Sequence, residues 1–428
     1  MGQHREGVVI AGAGARGAYE AGAMAALLPA LTRADCRPGV FVGTSAGAIN
    51  VVLLAAHAHE PPEAAAAALR RFWCDLRCRD IWRPLLRSGP GTLARYSAEF
   101  LGFPRSQLVA LLDTAPLAAT ARRWQEVAER AHDNVRAGLV RALAVATTDV
   151  YRGRTVVFVD LADDEELPPT DRLRAIDYVR TPVTIEHVLA SAAIPVAFPA
   201  IALEHPAGRR WYADGGVRLN TPLKPAISLL ADRLVVVATH PEVAVDPDEL
   251  APDTRQPEVN DHLVNVLDTV LVDRMVEDLK TLRTINRALR QDVEDGQDEL
   301  PGAPPTSPDP DPSSPDPAAP GPSSPDPDGT LREIPYVFVG PERRDTLGVL
   351  AGEVFAALPR SERLRPKSCA ADLALLRRLL ASGDGPRADD PLSYLFFHPS
   401  YAAAAFDLGE HDAAARCAAW RDQVPWRR

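Results

Sequence analysis

Val40-Phe41-Val42-Gly43-Thr44-Ser45-Ala46-Gly47-Ala48-Ile49 passes from strand to turn to helix within a few residues. The three leading residues read as a buried strand, Gly43 to Gly47 fits G-x-S-x-G, and a helical pattern follows at once. That is the layout of a nucleophile elbow, in which a strained turn lifts a serine hydroxyl out of the sheet. Gly43 and Gly47 leave room for the turn and for a substrate close to the backbone. A helix opening near Ala46 aims its free N–H groups and positive dipole end at the reacting centre. Gly, Ser and Ala are common in this chain, so the strand ahead and the helix behind are what distinguish the motif from chance.

One strand earlier, Val8-Val9-Ile10-Ala11 runs into Gly12-Ala13-Gly14-Ala15-Arg16-Gly17. The glycines fit G-x-G-x-x-G, so a nucleotide-binding oxidoreductase is one reading. It expects an acidic residue at the end of the next strand, whereas Asp35 precedes that strand and Gly43-Thr44-Ser45 ends it. A glycine-rich turn also presents adjacent backbone N–H groups to a developing oxyanion, which suits a neighbouring serine elbow better. Arg16 reads either as a contact for an anionic head group or as a helix-surface ion pair.

Downstream, Trp211-Tyr212-Ala213-Asp214-Gly215-Gly216 sets an acid on a tight turn. Gly215 and Gly216 permit a backbone that holds the carboxylate in one direction, so Asp214 is a candidate base; an ordinary Asx turn is the bland alternative. A serine triad needs a histidine, and His240, just after the strand-like Leu234–Ala238, is the suggestive one. The order Ser45, Asp214, His240 even matches that of α/β-hydrolases, so the sequence leaves the triad open.

Strand-like runs at Gly7–Ala11, Val40–Val42, Leu143–Ala146, Thr155–Val159 and Leu234–Ala238 alternate with helical ones. This rhythm predicts an α/β fold, with a three-layer, mostly parallel sheet flanked by helices. Residues 61–136 read as mainly helical. Phe72, Trp73, Trp82, Phe100 and Phe103 there read as core, with a membrane-facing cap as the alternative.

The 428 residues, 46% of them hydrophobic, suffice for a large core, and no run reaches bilayer-spanning length. Met1 to Gly17 is too Gly-broken for a signal peptide, and Glu6 stands where a myristoylation motif wants Ser or Thr. Cys36, Cys74, Cys78, Cys369 and Cys417 are odd in number and scattered, which reads as reduced thiols in a cytoplasmic protein. The net charge of −11 is concentrated: residues 291–330 carry ten acids and no base. The remainder is nearly neutral, which argues against nucleic acid as a partner. Proline and Ser-Pro-Asp-Pro repeats over 301–329 predict a disordered segment. Ile334 to Gly340 then reads as a strand and His262 to Leu289 as a helix. The segment is therefore expected as an insertion: a catalytic unit over 1–295, the insertion over 296–329, and a last strand with C-terminal helices over 330–428.

Taken together, these residues resemble the patatin-like phospholipases. Gly12 to Gly17 is similar to the family's oxyanion loop, with Ala13 where glycine is usual. Gly43-Thr44-Ser45-Ala46-Gly47 matches its elbow. Ala190-Ser191-Ala192-Ala193-Ile194-Pro195 resembles its A-S-x-A-x-P block, and Asp214-Gly215-Gly216 its D-G-G block. The resemblance implies a Ser45–Asp214 dyad without histidine and an oxyanion hole from Gly12, Ala13 and Gly14. Arg16, Gly17, Gly43, Gly47, Gly215 and Gly216 would support the motifs. It also implies a serine esterase acting on phospholipid or another acyl-ester lipid at a transiently contacted membrane, with no metal and no cofactor. Residues 190–195 would shape the pocket, with no chemical role for Ser191. A family member kept for interactions, recruiting a partner through the acidic insertion, is a further alternative.

Overall fold

The computed structural model describes residues 5–83, 110, 112–242, 274–298, 332–363, 371–374, 389–420 and 423–427. Among the described residues nine strands form one sheet: β1 (Glu6–Ile10), β2 (Val40–Thr44), β3 (Ala142–Asp149), β4 (Arg154–Leu161), β5 (Ile176–Arg180), β6 (Ile201–Leu203), β7 (Arg210–Asp214), β8 (Arg233–Val237) and β9 (Tyr336–Val339). The main path runs β5-β4-β3-β2-β1-β8-β9. From β3 to β9 neighbours are parallel; β4 is antiparallel to β3.

The strands are apolar on both faces because both faces are covered. Val8, Ile10, Phe41, Leu143 and Val145 pack into one core with α1 (Gly17–Arg33), α2 (Ala46–Ala56) and α3 (Pro62–Asp75). Val9, Val42, Ala144, Val157 and Val236 face a second core. The observed architecture is thus the expected α/β, three-layer, mostly parallel one. Two helices of the first layer, α4 (Ala115–Arg122) and α5 (Gln125–Arg136), precede β3; α6 (Ile185–Ser191) precedes β6. After β7 come α7 (Gly216–Leu219) and α8 (Leu223–Ser228), then beyond β8 α9 (Arg274–Asp298). The chain ends with α10 (Thr346–Ala357), α11 (Asp390–Leu395) and α12 (Pro399–Cys417).

The C-terminal part is built into this core. β9 pairs with β8 from Leu234↔Tyr336 to Val237↔Val339. α12 lies against α1 at glycines: a Cβ on Gly22 would meet the Phe406 carbonyl at 1.9 Å, and one on Gly409 the Tyr19 carbonyl at 2.0 Å. Residues 299–331, which hold most of the expected insertion, lie outside the described residues; its first residues, 296–298, instead finish α9. Phe72, Trp73 and Trp82 are buried in the core and are not a membrane-facing cap, while Phe100 and Phe103 lie outside the described residues. Cys78 is disulfide-bonded, whereas Cys36, Cys74 and Cys417 are free. This corrects the reading of five reduced thiols and withdraws their argument for a cytoplasmic location.

From β1 the chain builds β2 and β3 to one side and later β8 and β9 to the other. Doubly wound sheets bind ligands at the carboxyl edge of such a switch point. A second feature sharpens the spot. β2 occupies one side of β3 as far as Thr44↔Ala146, and antiparallel β7 takes over that side from Thr147↔Asp214. β2 and β7 therefore meet end to end along β3, Ser45 following one and Asp214 closing the other.

Candidate active site

Ser45 sits at φ 53 and ψ −119, a left-handed conformation that a non-glycine residue adopts only where its surroundings enforce it. The neighbouring glycines show how. A Cβ on Gly43 would lie 2.4 Å from the Gly47 carbonyl oxygen, and one on Gly47 2.2 Å from that of Ile10. Only glycine lets α2 start this close to β1 and β2. α2 itself is apolar on all sides, as a helix wedged between sheet and helices must be. Its one polar residue, Asn50, accepts from Trp73 Nε1 at 2.8 Å and donates to the Gly17 carbonyl at 3.1 Å, tying three helices together.

The Ser45 hydroxyl donates to Asp214 Oδ2 at 2.7 Å. The other oxygen of that carboxyl accepts the Gly216 N–H at 2.7 Å, and the Asp214 N–H donates to the Ala193 carbonyl at 2.9 Å. Gly215 permits close passage here, since a Cβ would come within 2.3 Å of the Ala146 carbonyl oxygen. Burial pushes the Asp214 carboxyl up to about 6, against the opposing pull of the hydrogen bonds from Ser45 and Gly216. Such a group is ionised at neutral pH yet retains appreciable basicity, as a general base requires.

The Gly-rich loop lies beside the serine: a Cβ on Gly12 would be 3.2 Å from the Ser45 Cβ. Its three expected donors divide. The Gly12 N–H donates to the Asn220 carbonyl at 3.0 Å, so Gly12 supplies space and not a donor. The N–H groups of Ala13 and Gly14 take no backbone partner among the described residues. Ala13 has φ −148, a value open to alanine, so the backbone here does not require glycine. Gly14 has φ +54, and a Cβ there would lie 2.5 Å from the Tyr394 carbonyl. Its glycine thus serves packing against α11 and not the approach of a dinucleotide.

Arg16 reaches neither solvent nor a head group. Its side chain is wholly buried, Nη2 pairs with Asp390 Oδ1 at 2.8 Å, Nε donates to Ser393 Oγ at 2.6 Å, and the guanidinium covers the Tyr394 ring at 4.0 Å. The arginine anchors the loop to α11 from behind. Gly17 lets Trp73 and Ala46 pack at about 2.6 and 2.7 Å from where its Cβ would stand. His240 belongs to this rear cluster as well: Nε2 and the Tyr394 hydroxyl share a hydrogen bond of 2.9 Å. Burial, with Arg16 and Arg344 near, holds its imidazole well below the usual histidine range. It makes no hydrogen bond to Ser45 or Asp214 among the described residues.

Two contributors escaped sequence reasoning. Ser191 accepts the Ser45 backbone N–H at 2.8 Å and donates to the Ala146 carbonyl at 2.6 Å, bracing the elbow against β3. Only its place in the A-S-x-A-x-P block signalled it. The second is an apolar cavity that opens at Ser45. Phe72, Trp73, Leu76, Trp124, Val188 and Phe198 line it, and among the described residues no charged one does.

The family model for patatin-like phospholipases matches residues 8–227, just over half the chain and every motif above. This chain belongs to the patatin-like phospholipase family. The matched span covers the patatin-like elbow, the A-S-x-A-x-P block and the Asp214 turn. Among solved structures, the crystal structure of VipD from Legionella pneumophila is similar to this patatin-like chain at 12% identity and a TM-score of 0.30. The match covers 79% of this chain and 62% of that one, so the chain spans less than two thirds of that structure's length. No curated protein matches.

Proposed function

We propose that this patatin-like protein is a serine lipid acyl hydrolase of the phospholipase A or lysophospholipase type, working through a Ser45–Asp214 dyad. Asp214 takes the hydroxyl proton as Ser45 Oγ attacks the ester carbonyl. The N–H groups of Ala13 and Gly14 hold the resulting oxyanion, beside the positive end of α2. Asp214 returns the proton to the departing alcohol, leaving an acyl-enzyme on Ser45. Water then gives a proton to Asp214 and attacks the acyl carbon; Ser45 recovers its proton as the free acid leaves.

The observation that carries this reading is the 2.7 Å hydrogen bond from a strained, buried serine to a buried carboxylate at the mouth of an apolar cavity. The cavity suits an acyl chain, since its described lining offers hydrophobic wall and no charge to a substrate tail. His240, bonded to Tyr394, has no part in the scheme. No described helix is long and apolar enough to cross a membrane, and the proposed enzyme meets its lipid as a peripheral protein. The test is a panel of phospholipids, lysophospholipids and neutral glycerides offered to wild type, Ser45→Ala and Asp214→Asn. Fatty acid release by wild type and its loss in both folded variants is expected; undiminished release by Ser45→Ala would overturn the reading.

A further inference from the structure

A patatin-like hydrolase acting on lipid needs a surface that seats its site on the lipid, and one surface next to Asp214 has that character. Asp149, buried at the end of β3, accepts the N–H groups of Tyr151 and Arg152 at 3.2 and 3.1 Å and pairs with Arg152 and Arg210 at 3.3 and 3.5 Å. Gly153, at φ +60, closes the turn by donating to the Asp149 carbonyl at 2.9 Å. This bracing presents apolar side chains to water. Tyr151 is 81% exposed and Val150 46%. Trp211 faces Val150 across the ladder, where the Val150 N–H donates to its carbonyl at 3.0 Å, and it is 48% exposed. Among the described residues, neither Tyr151 nor Trp211 stacks on another ring.

The patch borders the site. Trp211 is three residues before Asp214 on β7, about 10 Å along an extended strand. Val217 is exposed three residues after Asp214. Val196, 71% exposed and at φ 70, lies between Ile194 and Phe198, both of which line the cavity. An aliphatic side chain held outward in a left-handed conformation is a costly arrangement with no internal packing to account for it. The charge around these side chains is positive. Residues 149–154 and 209–218 contain five arginines against two buried aspartates, and Arg154 is taken up by a pair with Asp177 at 2.6 Å, so the remaining excess of positive charge comes from Arg152, Arg209, Arg210 and Arg218. In sequence, the chain's net acidity is concentrated in residues 291–330.

We infer that the turn Val150–Arg152, with Trp211, Val217 and Val196, is the surface through which the protein docks on an anionic phospholipid bilayer, the cavity mouth turned toward the lipid. Tyr and Trp are at home at the headgroup level, where one end is apolar and the other wet, and arginine adds attraction to anionic headgroups. A protein partner would not need aromatic and cationic groups arrayed around the entrance to an acyl pocket. The inference rests on the lipid-hydrolase reading of that site.

The experiment is vesicle co-sedimentation of the full chain carrying Ser45→Ala, which leaves the lipid intact. Vesicles of phosphatidylcholine alone are compared with vesicles that also contain phosphatidylglycerol, at low and high salt. Preferential, salt-sensitive binding to the anionic vesicles is expected. Tyr151→Ser with Trp211→Ser should weaken it by roughly tenfold or more. Arg209→Gln, at an exposed position, should narrow the preference for anionic lipid. In the wild-type Ser45 background the same surface variants should hydrolyse a water-soluble short-chain ester at an unchanged rate, which shows them folded. Equal binding to neutral and anionic vesicles, binding to neither, or undiminished binding by the double variant would overturn the docking surface. Failure of wild type to hydrolyse the soluble ester would strike the lipid-hydrolase reading instead, leaving vesicle binding to decide the surface.

Discussion

Replacing Asp214 by Asn separates what the carboxylate does for chemistry from what it does to the fold. Burial raises its pKa to about 6, against about 3.9 in an unfolded chain. Below about pH 4 both states are protonated and the shift contributes nothing. As pH rises toward 6 the unfolded chain ionises first and is favoured, and above 6 the penalty on the fold is constant at about 3 kcal/mol. Asn removes the titration, keeps an acceptor for the Gly216 N–H and loses the charge-assisted bond from Ser45, a loss of about 1 kcal/mol. The variant should therefore be more stable than wild type by about 2 kcal/mol near pH 8 and by less than about 1 kcal/mol near pH 5. Denaturant unfolding of both proteins at the two pH values measures this, and ester hydrolysis is followed alongside. An Asn variant that is destabilised, or whose advantage does not change with pH, would refute the claim that burial dominates the Asp214 environment.

The same shift predicts that ester hydrolysis falls about tenfold per pH unit below about 6 and is flat above it, read from a pH–rate profile on a soluble ester. Ser191→Ala leaves the Ser45 N–H and the Ala146 carbonyl without their shared hydroxyl. It should lower stability by about 1–3 kcal/mol and reduce kcat more than it alters KM, as kinetics beside unfolding curves would show. Asp390→Ala strands the buried Arg16 charge and should cost about 3–5 kcal/mol. The double replacement Arg16→Met with Asp390→Leu should recover much of that stability, and a double-mutant cycle measures the coupling.

The central strands could be read in the sequence because each is a short apolar run buried on both faces, as in Val8-Val9-Ile10 and Leu234 to Val237. The elbow was legible for a related reason: its strand, turn and helix are contiguous, and Gly43 and Gly47 record the close approach in residue type. β7 was not, since Arg210–Asp214 becomes a strand only by taking the place along β3 that β2 vacates. The pairing of Asp214 with Ser45 is thus a product of sheet register across 169 residues; the turn marked Asp214 as a candidate base, and the family resemblance joined it to Ser45 without a histidine. Arg16 was read as a surface group because its partner Asp390 lies 374 residues away. Gly12 was counted among the oxyanion donors because nothing local reveals that the Asn220 carbonyl takes its N–H. His240 followed a strand, as a triad base would, but the side chain that meets it comes from α11.

The most direct test of the Ser45–Asp214 account is the site of covalent labelling by a fluorophosphonate, mapped by mass spectrometry in wild type, Asp214→Asn and His240→Gln. One adduct per chain is predicted on Ser45, formed much more slowly in Asp214→Asn and at the wild-type rate in His240→Gln. An adduct on any other residue, or labelling of Ser45 that depends on His240 and not on Asp214, would contradict it.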